Sequence, residues 1–126
     1  MKKVSFIGTG LMGFPMASNL LKAGIKLKVF NRSINKAEPL KEFGAEISNT
    51  LNSVVKDTDF TITMLTDDSA VEAIMSHPDF LNNLNSGSTV IDMSSIKPNT
   101  AIKYGNILNQ KISTIWMHCF RRNYWC

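Results

Sequence analysis

Cysteine is nearly missing from this chain: none occurs before Cys119, and Cys126 is the only other one in 126 residues. Two late thiols make neither a disulfide framework nor a zinc spacing, and nothing else in the sequence suggests a metal site. Long apolar runs are missing too, so no segment is fit to cross a bilayer as a helix. An excess of one charge is lacking where a polyanion would need it. The formal net charge is +4, but residues 1–110 carry 11 Lys/Arg against 10 Asp/Glu, and the surplus comes from Lys111, Arg121 and Arg122. Without a basic face or stripe, no nucleic-acid partner is expected. Internal repeats and low-complexity segments are also absent. The 44% hydrophobic and 19% charged content is that of a soluble globular protein, and the length suits one domain with a core of its own.

What is present alternates short β-rich runs with longer amphipathic ones. Val4–Ile7, Leu27–Phe30, a weak run over Ala45–Ile47, Phe60–Leu65 and Thr89–Asp92 read as strands. Phe60–Leu65 is expected to be apolar at nearly every inward position. Between the strands lie helical patterns: Met12–Lys22 with Gly24 at its C-cap, a segment from a Ser33 or Asn35 cap to Phe43 that Pro39 should kink or restart, and a short helix capped by Asn49 or Thr50. A further helix, capped by Asp68 or Ser69, runs through Met75, and the last opens on Pro98 and reaches Leu108. Strands alternating with crossovers of this length predict an α/β fold with a doubly wound parallel sheet of Rossmann type. The opening Met1-Lys2-Lys3 and the apolar stretch to Ala17 mimic a signal peptide, but three regularly spaced glycines inside it suit a phosphate loop better. A cytoplasmic protein is therefore expected.

Those glycines form Gly8-Thr9-Gly10-Leu11-Met12-Gly13, a G-x-G-x-x-G loop after one strand and opening one helix. On its own the pattern is weak, because a glycine-rich turn needs no ligand; the strand–loop–helix–strand context makes it specific. Gly8 permits the tight turn, Gly10 lets a pyrophosphate approach the backbone, and Gly13 allows close helix–strand packing. The free N–H groups of the first helical turn, aided by the helix dipole, face the phosphates.

One more absence bears on the cofactor. An Asp or Glu at the end of the second strand would hold the ribose 2′-hydroxyl of NAD and repel a 2′-phosphate. Here the chain reads Asn31-Arg32-Ser33, with Lys36 close behind. Asn31 can bond a ribose oxygen, Arg32 can stack on adenine or pair with a phosphate, and Ser33 can donate to it. The competing view leaves Arg32 a merely solvated surface residue. The pattern favours NADP over NAD.

With these residues in view, the sequence resembles the β-hydroxyacid dehydrogenase family, whose members include 3-hydroxyisobutyrate dehydrogenase, tartronate semialdehyde reductase and the glyoxylate/succinic semialdehyde reductases, and which is related to 6-phosphogluconate dehydrogenase. Phe6-Ile7-Gly8-Thr9-Gly10-Leu11-Met12-Gly13-Phe14-Pro15-Met16 is similar to its cofactor signature, and Asn31-Arg32-Ser33 with Lys36 to its NADP-preferring branch. Met64-Leu65-Thr66-Asp67-Asp68 resembles the loop that lies along the cofactor, where main-chain groups of Met64 and Leu65 would meet the ligand. Asp92-Met93-Ser94-Ser95-Ile96-Lys97-Pro98 resembles the segment near the nicotinamide, with Ser95 in place of the usual Thr. The resemblance covers residues 3–108. Ser95 is the better candidate for a contact; Asp92 is expected to serve local backbone bonds, and Met12 and Met16 are expected in the helix core.

The resemblance implies hydride transfer between a nicotinamide and a short β-hydroxy acid or its semialdehyde. It also implies that the catalytic lysine, much of the substrate pocket and the dimer contacts belong to a helical second domain that follows residue 126. No catalytic residue is therefore expected within this chain. A stand-alone dinucleotide-binding regulatory module and a decayed gene product are the other two possibilities.

Residues 1–110 are expected to form the dinucleotide-binding domain, and 111–126 a tail that departs from the family. Trp116-Met117-His118 must be written TGG-ATG-CAY, and starting two bases later forces Asp-Ala, where the family continues Asp-Ala-Pro-Val-Ser-Gly-Gly. Reading Cys119–Cys126 one base later permits Val-Ser-Gly-Gly-Thr-Ile-Gly. Two single-base losses would give these offsets in that order, so the tail is expected to be an out-of-frame version of the family's continuation.

Overall fold

The computed structural model of the chain describes residues 2–111 and 114–117. The readings made on Cys119, Cys126 and the rest of residues 118–126 lie outside the described residues. Six strands, β1 (Val4–Ile7), β2 (Leu27–Phe30), β3 (Glu46–Ile47), β4 (Phe60–Thr63), β5 (Thr89–Asp92) and β6 (Thr114–Met117), form one sheet in the order β3-β2-β1-β4-β5-β6. Every adjacent pair is parallel, with Ile7 opposite Phe30 on one side and Thr63 on the other, and Thr63 opposite Asp92. This is the doubly wound arrangement expected, and its order reverses between β1 and β4, where a crevice opens beyond the strand C-termini. β6 extends the sheet past residue 110, where the domain was expected to end. Its Thr114-Ile115-Trp116 run is built of residues that favour strands.

The helices are α1 (Gly13–Lys22), α2 (Leu51–Val55), α3 (Asp68–Met75), α4 (Pro78–Leu81) and α5 (Pro98–Lys111). Gly24, at φ +91°, ends α1, and Ile25 N–H returns to the Leu20 carbonyl at 3.1 Å, so the expected glycine stop is made. Thr50 caps α2 by accepting from Ser53 N–H at 3.1 Å. The segment after β2 is two 3-10 turns, Ile34–Lys36 and Glu38–Phe43, broken at Ala37. Pro39 cannot donate to a continuing helix, and it restarts the chain as the sequence implied. The α3 cap is Asp67, which accepts from Ala70 N–H at 2.8 Å, rather than Asp68 or Ser69. Asp68 is engaged elsewhere, as described below. The helix α4 was not foreseen, since Ser76–Gly87 carries loop-forming residues throughout. His77 Nδ1 accepts from Asp79 N–H at 3.1 Å to cap it, and its purpose in the fold is to sink Phe80 completely into the core.

Alternate residues of each strand face opposite layers. On one side Phe6, Leu27 and Val29 pack with Ala17 and Leu21 of α1 and with Leu40 and Ala45. On the other Ile7 and Val90 pack with Val54, Val55, Val71, Met75, Phe80, Tyr104 and Leu108. Strand β4 departs from the expected apolar pattern: Thr61 and Thr63 are fully buried, while Phe60 and Ile62 are partly exposed. Burying hydroxyls is tolerated because they are paired. Ser5 Oγ donates to Thr61 Oγ1 at 2.9 Å, and Thr63 Oγ1 donates to Asp92 Oδ1 at 2.7 Å.

Candidate functional site

The crevice at the strand C-termini holds a cavity of about 500 Å³, lined by loop residues following β1, β2, β4 and β5. Gly8, Gly10, Leu11, Met12 and Gly13 form its floor, Asn31, Arg32, Ser33 and Lys36 one side, and Met64, Leu65, Thr66, Ala70 and Ser95 the other. Of the residues singled out in the sequence, only Thr9 is not part of the wall. Its N–H donates to Asn31 Oδ1 at 2.9 Å, and its Oγ1 is buried with no partner.

The three loop glycines differ in what demands them. Gly8 sits at φ +102°, donates to the Phe30 carbonyl at 3.0 Å, and leaves no room for a Cβ against the Met64 carbonyl. A Cβ on Gly13 would strike the Gly8 carbonyl and come within 3.4 Å of the Phe6 ring. Both are required by packing. Gly10 has neither a positive φ nor any protein atom within 4 Å of a would-be Cβ. Nothing in the protein itself requires glycine there; a ligand lying on the loop would.

The start of α1 is equally bare. It has no side-chain cap and no acid in its first turn, and among the described residues the only Gly10 bond is its carbonyl accepting from Phe14 N–H at 3.0 Å. Among the described residues no acceptor meets the N–H groups of Gly10, Leu11, Met12 or Gly13. Unpaired amides at a helix N-terminus, with its partial positive charge, make an anion site. Met12 is 60% exposed and Leu11 92% exposed, so Met12 is not the core residue expected. It precedes the helix proper, and its side chain borders the cavity instead of turning onto the sheet. Met16, half-buried, does pack against the core.

At the end of β2, Asn31 bridges two loops: its Oδ1 holds Thr9 N–H, and its Nδ2 donates to the Ser33 carbonyl at 2.8 Å. Most of its amide is thus spent on positioning, a use the sequence did not announce. Arg32 and Lys36 are exposed and, among the described residues, meet no carboxylate. Two unpaired cations therefore border a cavity whose floor is a row of open amides.

On the opposite side the segments after β4 and β5 are tied together. Ser94 Oγ accepts from Leu65 N–H and donates to Asp92 Oδ1, at 2.8 and 2.7 Å, and Asp92 also accepts from Ser94 N–H at 3.2 Å. Of the local backbone bonds expected for Asp92 only the Ser94 N–H is found, beside two hydroxyls, one of them the distant Thr63; burial pushes its pKa up, against the hydrogen bonds from Ser94 and Thr63 that pull it down. Ser94 and Thr63 were missed in the sequence; the clue lay in the parallel register that sets Thr63 beside Asp92. Ser95 is exposed to the cavity. Asp68 Oδ2 accepts from Thr100 Oγ1 at 2.6 Å and from Lys97 N–H at 3.0 Å, so it ties the start of α3 to the start of α5. Those two bonds, the hydroxyl's first, hold its carboxyl below the usual value. Among the described residues no group of His, Cys, Asp and Glu is placed to hold a metal ion, and no helix is long and apolar enough to cross a membrane.

Residues 3–115 match the family model described as the NAD binding domain of 6-phosphogluconate dehydrogenase. Glyoxylate/succinic semialdehyde reductase 1 of Arabidopsis thaliana is 34% identical over 110 residues, 86% of this chain and 38% of that protein. The NAD-dependent L-serine dehydrogenase of Pseudomonas aeruginosa is 38% identical over 104 residues, 82% of this chain and 35% of that protein. Among solved structures, a reductive aminase from Aspergillus terreus in complex with NADPH and ethyl levulinate superposes with a TM-score of 0.79 at 26% identity, over 93% of this chain and 40% of that one. The chain thus spans well under half the length of the relatives it matches.

Proposed function

The chain belongs to the family of the NAD binding domain of 6-phosphogluconate dehydrogenase, and from that premise we propose that its cavity binds NADP(H) in preference to NAD(H). The observation that carries the proposal is the pairing of a bare α1 N-terminus, with open space at Gly10, and two unpaired cations, Arg32 and Lys36, on one cavity wall. The amides of Gly10, Leu11, Met12 and Gly13 would take the pyrophosphate. Thr9, held by Asn31, keeps the loop in register with the end of β2. Arg32, Ser33 and Lys36 would take the 2′-phosphate, where a carboxylate would repel it. Met64 and Leu65 would flank the cofactor through their main chain, and the Ser95 hydroxyl would meet its far end or the substrate.

The bound dinucleotide would supply the hydride, and the whole protein would interconvert a short β-hydroxy acid and its semialdehyde. In this reading the residues described here would bind and orient the dinucleotide. One relative is named as NAD-dependent and one structural neighbour is a complex with NADPH, so the proposed preference rests on Arg32 and Lys36. Arg32→Ala tests it. A charge-assisted hydrogen bond is worth about 1.5–3 kcal/mol, so NADPH affinity should fall about 10–100-fold. NADH affinity should move by less than about 3-fold. Equal losses for the two cofactors would contradict the proposal.

A further inference from the structure

Asp92 does not touch the cavity, yet its bonding is lopsided. Three donors, Thr63 Oγ1, Ser94 Oγ and Ser94 N–H, converge on Oδ1, while Oδ2 is buried with no partner among the described residues. Oδ1 alone therefore carries the hydrogen bonding of the group. Among the described residues no charged side chain is bonded to the group; its side-chain partners are Thr63 on β4 and Ser94 beyond β5.

The consequence runs through Ser94. A serine hydroxyl has one proton, and here it is committed to Asp92. That commitment fixes the rotor so that a lone pair meets Leu65 N–H at 2.8 Å. Leu65 lies in the cavity wall, and the Met64 carbonyl just before it is the surface against which Gly8 is pressed. Met64 N–H in turn donates to the Ile7 carbonyl at 2.9 Å, tying the wall to the strand that feeds the glycine loop. Ser95, which faces the cavity, is the residue next to the anchored Ser94.

We infer that Asp92 is a positioning residue for the dinucleotide cavity, acting through Ser94 to hold the Leu65 amide and with it the Met64–Thr66 wall. The ligand in this inference rests on the proposed dinucleotide site, but the clamp itself does not. Because Oδ1 alone accepts, the device needs an acceptor oxygen and no charge. Asp92→Asn supplies that oxygen, whereas Asp92→Ala removes it and frees the Ser94 hydroxyl to turn.

The test combines amide hydrogen exchange at Leu65, read by NMR in the ligand-free protein, with NADPH titration of Asp92→Ala, Asp92→Asn and Ser94→Ala. In Asp92→Ala and Ser94→Ala, Leu65 exchange should quicken at least about 10-fold relative to Ile62 in the middle of β4. NADPH affinity in the same two variants should fall about 10-fold or more. Asp92→Asn should keep both within about 3-fold of the parent protein. Unchanged Leu65 protection in Ser94→Ala overturns the inference, and so does an Asp92→Asn variant as damaged as Asp92→Ala. If Asp92→Ala does not fold, Ser94→Ala and Asp92→Asn decide alone. A parent protein that shows the Leu65 pattern but binds no dinucleotide supports the clamp and refutes the proposed ligand.

Discussion

Replacing Gly10 with alanine separates what the fold requires from what a ligand requires. At Gly10 the added methyl meets no protein atom within 4 Å and the backbone needs no left-handed conformation. The substitution narrows the unfolded ensemble at no native cost, so it should stabilise the protein by about 0.4–1 kcal/mol. For a domain of this size that is a rise in Tm of about 1.5–4 °C. The same methyl stands where the pyrophosphate would lie against the open amides of Gly10–Gly13. Displacing the phosphates from two charge-assisted bonds, at about 1.5–3 kcal/mol each, weakens binding by at least about 100-fold. Gly8→Ala is the contrasting control: its φ of +102° and the Met64 carbonyl make it a folding defect first. Thermal melts followed by circular dichroism read the first quantity, and NADPH fluorescence titration the second. Should Gly10→Ala bind NADPH within about 3-fold of the parent protein, the loop does not cradle the phosphates. Should it instead lower Tm, Gly10 serves the fold and its openness to a ligand means nothing.

Phe80 is fully buried on a four-residue helix, so Phe80→Ala should cost about 3–5 kcal/mol in urea denaturation; a loss below about 1 kcal/mol would show that α4 is not part of the core. Two acids should give stability profiles of opposite slope. Asp68 has its pKa lowered from 3.8 by the bonds from Thr100 and Lys97. Its contribution is therefore fully present above the unfolded value and lost as pH falls below it. The stability difference between the parent protein and Asp68→Asn should be flat at neutral pH and shrink below pH 3.8. Asp92 has its pKa raised from 3.8 by burial. The folded state then binds that proton more tightly, and stability declines as pH climbs from 3.8 through the folded value. Asp92→Asn escapes that decline, so it should gain on the parent protein over the same rise; parallel profiles would contradict the burial of a lone carboxyl.

Local chemistry made much of this fold legible. The glycine loop, the Gly24 stop, the Thr50 cap and the Pro39 break each act within a few residues, and each occurs where the chain suggested. The parallel sheet followed from the alternation of elements, and the wall of the cavity from three segments that end strands. What escaped was decided by partners far apart in sequence. Thr61 and Thr63 look exposed until β1 and β5 bring Ser5 and Asp92 beside them. Asp68 looked like the cap of its own helix but instead bonds Lys97 and Thr100 at the start of α5, while Asp67 fills the nearer role. α4 was hidden because four residues carry too little periodicity to be seen, and only the burial of Phe80 gives them a reason. Asn31 was read for its ligand chemistry, whereas its geometry shows a bridge between loops.

The central claim is that this chain holds a dinucleotide phosphate on the open amides at the start of α1. Amide chemical shifts followed during an NADPH titration test it most directly. The account predicts saturable shifts centred on Gly10, Leu11, Met12 and Gly13, with Arg32 and Ser33 moving in step and with NADH reproducing only the glycine-loop part. A folded protein whose loop amides stay still while NADPH reaches about 1 mM would contradict it, since even a weak specific site is occupied there.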